Sequence, residues 1–363
     1  MPVRLPAALL PLRGPVFRGL WFAWLIANTT MWINDVAAGW LMTTLTTSAV
    51  MVALVQTAST LPVFLLGLPS GALADIVDRR RYFAGTQLWV SLNALLIAGL
   101  ALGGWLDATL LLVLTFANGI GLAMRWPVFA AIVPGLVPRE QLSAALGLNA
   151  IAMNISRIVG PMAAGALLAS LGNSAVFALN ALLAFGACVL ILRWKGQPHT
   201  STLPGERFVG AMRVGLQHVR QSPRLRAILL RVFLFFFQAI ALQALLPLLA
   251  KRYGAGAGGY TLLLASLGSG AVVAALGVSL LRERYTRDQI VRGGTVIQAV
   301  MTVLAALSPS LAWTLPALVI AGMAWISTAN TLTMSAQLAV RIRVRGRGMA
   351  VYQMALMGGN AVG

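Results

Sequence analysis

Eleven long apolar runs dominate the chain, at residues 17–43, 48–74, 82–104, 108–133, 141–171, 173–194, 226–250, 258–281, 290–308, 312–339 and 348–363. Most reach the ~20 residues that a helix needs to cross the hydrocarbon of a bilayer. Strands of a membrane barrel would alternate polar and apolar residues over about ten positions. The stretch AVFALNALLAFGACVLIL (175–192) does not alternate. Only 10% of residues are charged and the mean hydropathy is +0.85, whereas about 25% are charged in soluble domains. These features describe an all-α polytopic membrane protein embedded in the lipid bilayer.

The basic residues fall in alternate connectors. Arg4, Arg13 and Arg18 precede the first run, Arg79, Arg80 and Arg81 fill the second connector, and Arg139 lies in the fourth. The long sixth connector holds Arg193, Lys195, Arg207, Arg213, Arg220 and Arg224, with Arg226 at its edge. Arg282, Arg284, Arg287 and Arg292 occupy the eighth, and Arg341, Arg343, Arg345 and Arg347 the tenth. The odd connectors carry only Lys251 and Arg252. Lysine and arginine mark the cytoplasmic side, so the N-terminus and the long connector are expected there. A nucleic-acid binder would gather its cations on one face, so the net charge of +19 implies no nucleic-acid partner. The single cysteine, Cys188, sits in an apolar run, and His199 and His218 share one polar connector. No metal site or cofactor is expected from this set. No GxxxxGK[ST] phosphate loop occurs, so ATP-driven transport is not expected, and one carboxylate with no histidine within the runs leaves little from which to build an enzyme's site. Prolines interrupt the first seventeen residues, which argues against a cleavable signal peptide.

The long connector divides the chain into a six-helix half at 1–194, a cytoplasmic connector at 195–225 and a second half at 226–363. Arg139-to-Gly160 occupies the position in the first half that Ile342-to-Gly363 takes in the second. The chain ends within an apolar run, so we expect a twelve-span architecture whose second half is incomplete, with about 11 spans present.

Charges within the runs need a reason, because one at mid-bilayer costs ~2.5–3.5 kcal/mol on insertion scales. Asp35 is the one carboxylate inside a run; the other seven lie at connectors. Trp21, Asn28 and Asp35 are seven apart and share a helix face, which reads as a polar cavity wall. Asn118 and Arg125 share a face of the fourth run in the same way. At ~1.5 Å per residue, Arg157 and Asp35 lie at similar depths. An Asp35–Arg157 pair is therefore expected, leaving Arg125 freer to meet an anionic substrate. Burial favours the neutral form of a carboxylic acid and a neighbouring cation favours the charged form. A switch between these environments is what proton coupling at Asp35 requires. Asn34, Gln56, Asn154, Gln238, Gln243 and Asn330 are further candidates to line a cavity, with Trp32, Trp126 and Trp325 as aromatic walls.

The stretch SGALADIVDRRR (70–81) concentrates Gly71, Leu73, Asp75, Asp78, Arg79, Arg80 and Arg81 between the second and third runs. It resembles the G-x-L-x-D-R-x-G-R-R motif of the major facilitator superfamily of secondary transporters. Ile76 replaces the usual arginine and Asp78 the usual glycine. The Asp-Arg-Arg-Arg ending is similar to the branch containing the bacterial enterobactin exporter and related efflux proteins. Ser156, Gly160 and Pro161 resemble the fifth-span motif of proton-driven exporters. The resemblance implies two six-helix halves, alternating access and a monomer in a bacterial inner membrane. It also implies proton-coupled export of a small organic molecule, either a siderophore or an amphipathic drug. In that fold the second connector is a cytoplasmic latch, with Asp75 near the positive start of the eleventh helix at Gly348. The alternatives are an importer of the same fold, or a truncated membrane protein that transports nothing.

Overall fold

The computed structural model describes residues 7–194, 222–339 and 345–363. No strand occurs among the described residues. The long helices are α1 (Pro15–Leu45), α2 (Ala49–Ile76), α3 (Arg79–Leu102), α4 (Ala108–Ile132), α5 (Leu142–Ser170), α6 (Asn173–Leu192), α7 (Pro223–Arg252), α8 (Gly256–Arg284), α9 (Arg287–Leu307), α10 (Leu311–Ala339) and α11 (Arg345–Val362). Each apolar run falls within one of them, give or take a few residues. Nine stretches among the described residues are long and apolar enough to cross a membrane. Short 3-10 turns precede α1 and α5 and follow α4.

Helix starts are set by polar side chains at connectors. The Asp78 carboxylate accepts from the backbone N–H of Arg81 at 2.8 Å and caps α3. Asp107 accepts from Leu110 at 2.7 Å and caps α4. Thr286 and Gln289 form a reciprocal capping box at α9. Two of the chain's eight carboxylates thus satisfy N–H groups that a helix start leaves open. Gly172 (φ +79°) and Gly254 (φ +64°) turn the chain after α5 and α7 in the left-handed region that glycine enters without strain.

The helices group into two compact units. One comprises Met1–Leu41 and Leu65–Leu203, the other Met42–Phe64 and Pro204–Gly363. The division passes through α2, so residues 42–64 belong with the later part of the chain.

In the first unit α3 packs against α4 and α6. Trp89 Nε1 donates to the Ala117 carbonyl at 2.7 Å, Asn93 Nδ2 to Leu114 at 3.0 Å, and Ser91 Oγ to Ala181 at 2.8 Å. An aromatic core lies between α1, α3 and α4. Trp24 stacks on Phe129 with ring centroids 3.9 Å apart, and Phe83 lies 5.8 Å from Phe129. In the second unit α8 crosses α10 where two glycines meet the opposing backbone. A Cβ on Gly270 would fall on the Val319 carbonyl, and one on Gly322 on the Leu267 carbonyl. Lipid supplies no hydrophobic drive between helices, so dispersion at such close approaches holds them together. On α11, a Cβ on Gly359 would stand 2.6 Å from the Phe233 carbonyl of α7, so a third pair meets in the same way. Tyr352 of α11 and Thr333 of α10 share a hydrogen bond of 2.7 Å.

Gly322→Ala is therefore expected to lower stability by about 1–3 kcal/mol, the usual cost of overpacking. Gly268→Ala, where a Cβ meets nothing within 4 Å, is expected to be neutral or slightly stabilising. Thermal unfolding of the purified variants in detergent checks the contrast.

Candidate functional site

Arg125 has none of its surface exposed. It leaves α4 toward α1, where Nη1 donates to the Ala27 carbonyl. Nη2 lies 3.4 Å from Asn28 Oδ1 and 3.7 Å from Met31 Sδ. The guanidinium carbon is 5.4 Å from the centroid of the Trp24 ring. Asn28 is itself fixed, because its Nδ2 donates to the Trp24 carbonyl at 2.7 Å. Trp24, Asn28 and Met31 follow at i, i+4 and i+7, one face of a helix, so α1 presents a carbonyl, an amide, a thioether and a π face together. A weakly hydrated planar cation suits such partners better than an ammonium would. Asp35, two turns further along α1, exerts an attractive Coulombic field on Arg125.

Arg125 is the enclosed cation, bound into α1, where the sequence suggested a cation freer to meet an anionic substrate. Trp21 and Asn28 belong to a packed face rather than an open wall: Trp21 is 8% exposed and donates from Nε1 to the Leu148 carbonyl of α5 at 2.9 Å. The physical reason is that a buried cation and a buried indole N–H each require acceptors, and neighbouring helices bring them. Arg157, half-buried on α5, stands 5.7 Å over the Trp32 ring of α1.

The fifth-span residues form the crossing of α5 with α1. Ser156 Oγ donates to the Leu25 carbonyl at 3.0 Å and lies 3.1 Å from Thr29 Oγ1. One turn on, a Cβ on Gly160 would stand 2.5 Å from Trp32 Cβ and 3.2 Å from the Thr29 carbonyl. Pro161 is buried beside it. The small side chains let the two backbones touch, and Arg157 and Trp32 flank the contact.

Asn34 is fully buried next to Asp35, and neither atom of its carboxamide has a hydrogen-bond partner among the described residues. Asn118 Oδ1, on the Arg125 face of α4, is buried in the same condition. An unsatisfied buried polar group costs about 1–3 kcal/mol. These amides mark the interior of the unit as a place where water or a polar ligand group would be stabilised.

At the arginine-rich connector, Arg79 Nη1 donates to the Ala131 carbonyl at 3.1 Å, and Arg80 Nη2 to the Leu192 carbonyl. Arg79 and Arg80 thus reach the ends of α4 and α6 within their own unit. Asp78 acts as the α3 cap, and Arg81 is exposed. Gly71 and Asp75 lie on the α2 backbone and Gly348 on that of α11, but the surroundings of all three lie outside the described residues.

Gln238, Gln243 and Asn330 lie in the other unit. Gln238 Nε2 donates to the Thr295 carbonyl of α9 at 3.3 Å, Gln243 is half-buried on α7, and Asn330 is exposed on α10. Trp24, Met31 and Thr29 belong to the site and were not among the expected residues. Their spacing from Asn28 and Leu25 on α1 is the signal that could have found them.

The sequence profile of a family described as transmembrane secretion effector matches residues 6–363. Macrolide efflux protein A of Streptococcus pyogenes is 27% identical over 241 residues, 65% of this chain and 59% of that protein. The staphyloferrin A transporter of Staphylococcus aureus is 24% identical over 225 residues, 61% of this chain and 56% of its own. The chain thus spans less than two thirds of the length of these relatives. A bacterial homologue of the human lysosomal transporter Spinster has a TM-score of 0.76 against 97% of this chain and 81% of its own, at 17% identity. That likeness is one of fold.

Sterics should outweigh hydrogen bonding at the α1–α5 crossing. Ser156→Ala is expected to cost ~0.6 kcal/mol, the average for a hydrogen bond between membrane helices. Gly160→Val is expected to cost about 1–3 kcal/mol, and Arg125→Met about 1–3 kcal/mol, because it leaves the buried Asn28 Oδ1 without its donor. Thermal midpoints of the three variants give the order.

Proposed function

Since the chain belongs to the transmembrane secretion effector family of the major facilitator superfamily, we propose that it is a secondary transporter that exports a small organic molecule in exchange for protons. The observation that carries this reading is a single carboxylate within the apolar runs, Asp35, two turns beyond the Asn28 that contacts the fully buried Arg125. A carboxylate beside a fixed cation can hold or release a proton as its exposure to water changes. Arg125 cannot leave, being bound to Ala27 and Asn28, so the proton on Asp35 is the variable charge.

The efflux and siderophore-transport names of the relatives support an amphipathic drug or a siderophore as cargo. The alternation of basic connectors supports a bacterial inner membrane with the N-terminus in the cytoplasm. The two compact units are the bodies that would move in alternating access, the protein working as a monomer. Asp75, with Arg79, Arg80 and Arg81 beside it, would serve that cycle as a cytoplasmic latch.

Protein reconstituted in liposomes is expected to release protons when erythromycin, a macrolide, is added, and to move it in the direction opposite to proton flow down an imposed proton gradient. Asp35→Asn should abolish the release and cut gradient-driven flux at least about tenfold, since no second in-membrane carboxylate can substitute, while macrolide still binds. Normal proton release from the variant would make Asp35 a structural residue and overturn the coupling. Failure of a panel of macrolides and siderophores to move in either direction would overturn the transport reading.

A further inference from the structure

Two cations within the apolar runs approach α1, and they are held differently. Arg125 is enclosed by a carbonyl, an amide and a ring. Arg157 of α5 is half-buried and lies with its guanidinium carbon 5.7 Å from the centroid of the Trp32 ring. The indole is seated from the same helix: a Cβ on Gly160 would stand 2.5 Å from Trp32 Cβ, 3.2 Å from the Thr29 carbonyl and 3.5 Å from the Ile33 nitrogen. Arg157 and Gly160 are three apart on α5 and so share a face. One indole is thus touched twice by α5, with a backbone at its base and a cation over its ring.

The crossing also sets where Asp35 stands. Ser156 meets Leu25 and Thr29, and Gly160, one turn on, meets Thr29 and Trp32. The two helices therefore run parallel here, and one further turn of α1 leads from Trp32 to Asp35 on the same face. At ~1.5 Å per residue, that turn places Asp35 ~4.5 Å further along the axis. A helical side chain leans over the turn N-terminal to its own Cα, which directs the carboxylate back toward the turn that carries Trp32. Trp32 and Asp35 are half-buried, whereas Ile33 and Asn34 between them are buried. The indole and the carboxylate thus share the more open side of α1.

A ring face attracts a guanidinium through its quadrupole and carries no charge of its own. It can fix the place of a cation without neutralising it. An arginine fork bonded to a carboxylate would instead hold the acid ionised, whereas an exchange residue must both take up and give up its proton. We propose that Trp32 is a positioning residue for proton exchange: seated on Gly160, its ring holds the Arg157 guanidinium within a turn of Asp35. The inference rests on the reading of Asp35 as the exchange residue. Loss of the ring lets the cation leave its place, which slows the proton step and leaves the movement of cargo itself intact.

The test compares two modes of erythromycin movement in liposomes: flux driven by a proton gradient, and exchange of labelled for unlabelled macrolide with no gradient. A defect in the proton step lowers the first and spares the second, while a folding defect lowers both. Trp32→Leu should cut gradient-driven flux about five- to tenfold, the scale of a partly desolvated cation–π contact, and leave exchange within about twofold. Trp32→Phe, which keeps a π face, should recover most of the loss. In an Arg157→Gln background, Trp32→Leu should cost no more than about twofold further, since residues that act as one are not additive. Equal loss of both modes in Trp32→Leu, no loss at all, no recovery in Trp32→Phe, or a full additional loss in the Arg157→Gln background would overturn the role of Trp32. Asp35→Asn, measured alongside, separates the two claims. Abolished gradient-driven flux with spared exchange keeps Asp35 as the exchange residue whatever Trp32 does; gradient-driven flux that survives in this variant removes the reading on which the inference rests.

Discussion

The last carbonyls of a helix have no partner within it, and in this chain cationic side chains from neighbouring helices take up several of them. Arg79 and Arg80 reach Ala131 and Leu192 at the ends of α4 and α6. On the opposite helix ends, Lys251 Nζ reaches the Thr43 carbonyl at 2.6 Å and Arg252 the Ala306 carbonyl at 2.8 Å, both within the second unit. Each contact sets a positive charge against the negative end of a helix. The arginines and lysines that signal orientation in the sequence therefore also tie helix ends together. Arg125 makes the same contact in the middle of a helix, where the carbonyl of Ala27 already accepts from Thr30 Oγ1 at 2.9 Å.

With the ends tied, the helices are free to pack on small residues. Gly160 admits α1 to α5, Gly270 and Gly322 admit α8 and α10 to each other, and Gly121 of α4 stands where a Cβ would be 3.0 Å from Trp89 and Val90 of α3. Close backbones leave little space for large polar chains. Where such chains remain, as with Arg125, Asn28 and Asn34, they are enclosed, and their chemistry is set by the few groups that surround them. A carboxylate beside that enclosed set, Asp35, is where a change of protonation would alter the charge balance most.

The all-helical class and the place of the long helices were legible because hydropathy reads element length directly. The seven-residue spacing of Asn118 and Arg125 also pointed to one face. The partner of that face was not legible, since a membrane helix is apolar nearly all round and its sequence does not say which neighbour it meets. Hence Arg125 was expected to be open to a ligand, whereas the Trp24–Asn28–Met31 face of α1 encloses it. Asp78 shows a second limit: the motif around it suggested a latch, while the local rule that an aspartate before a helix caps it describes its bond to Arg81. The division of α2 between two units depends on contacts between distant segments, and no local pattern carries it.

The account depends on Asp35 and Arg125 acting as one electrostatic unit. A double-mutant cycle on thermodynamic stability, using Asp35→Asn, Arg125→Met and the combined variant, measures this directly. A coupling of about 1 kcal/mol or more is predicted, within the range for residues that share a network. Losses that add within about 0.5 kcal/mol would mean that the two charges act independently, and would contradict it.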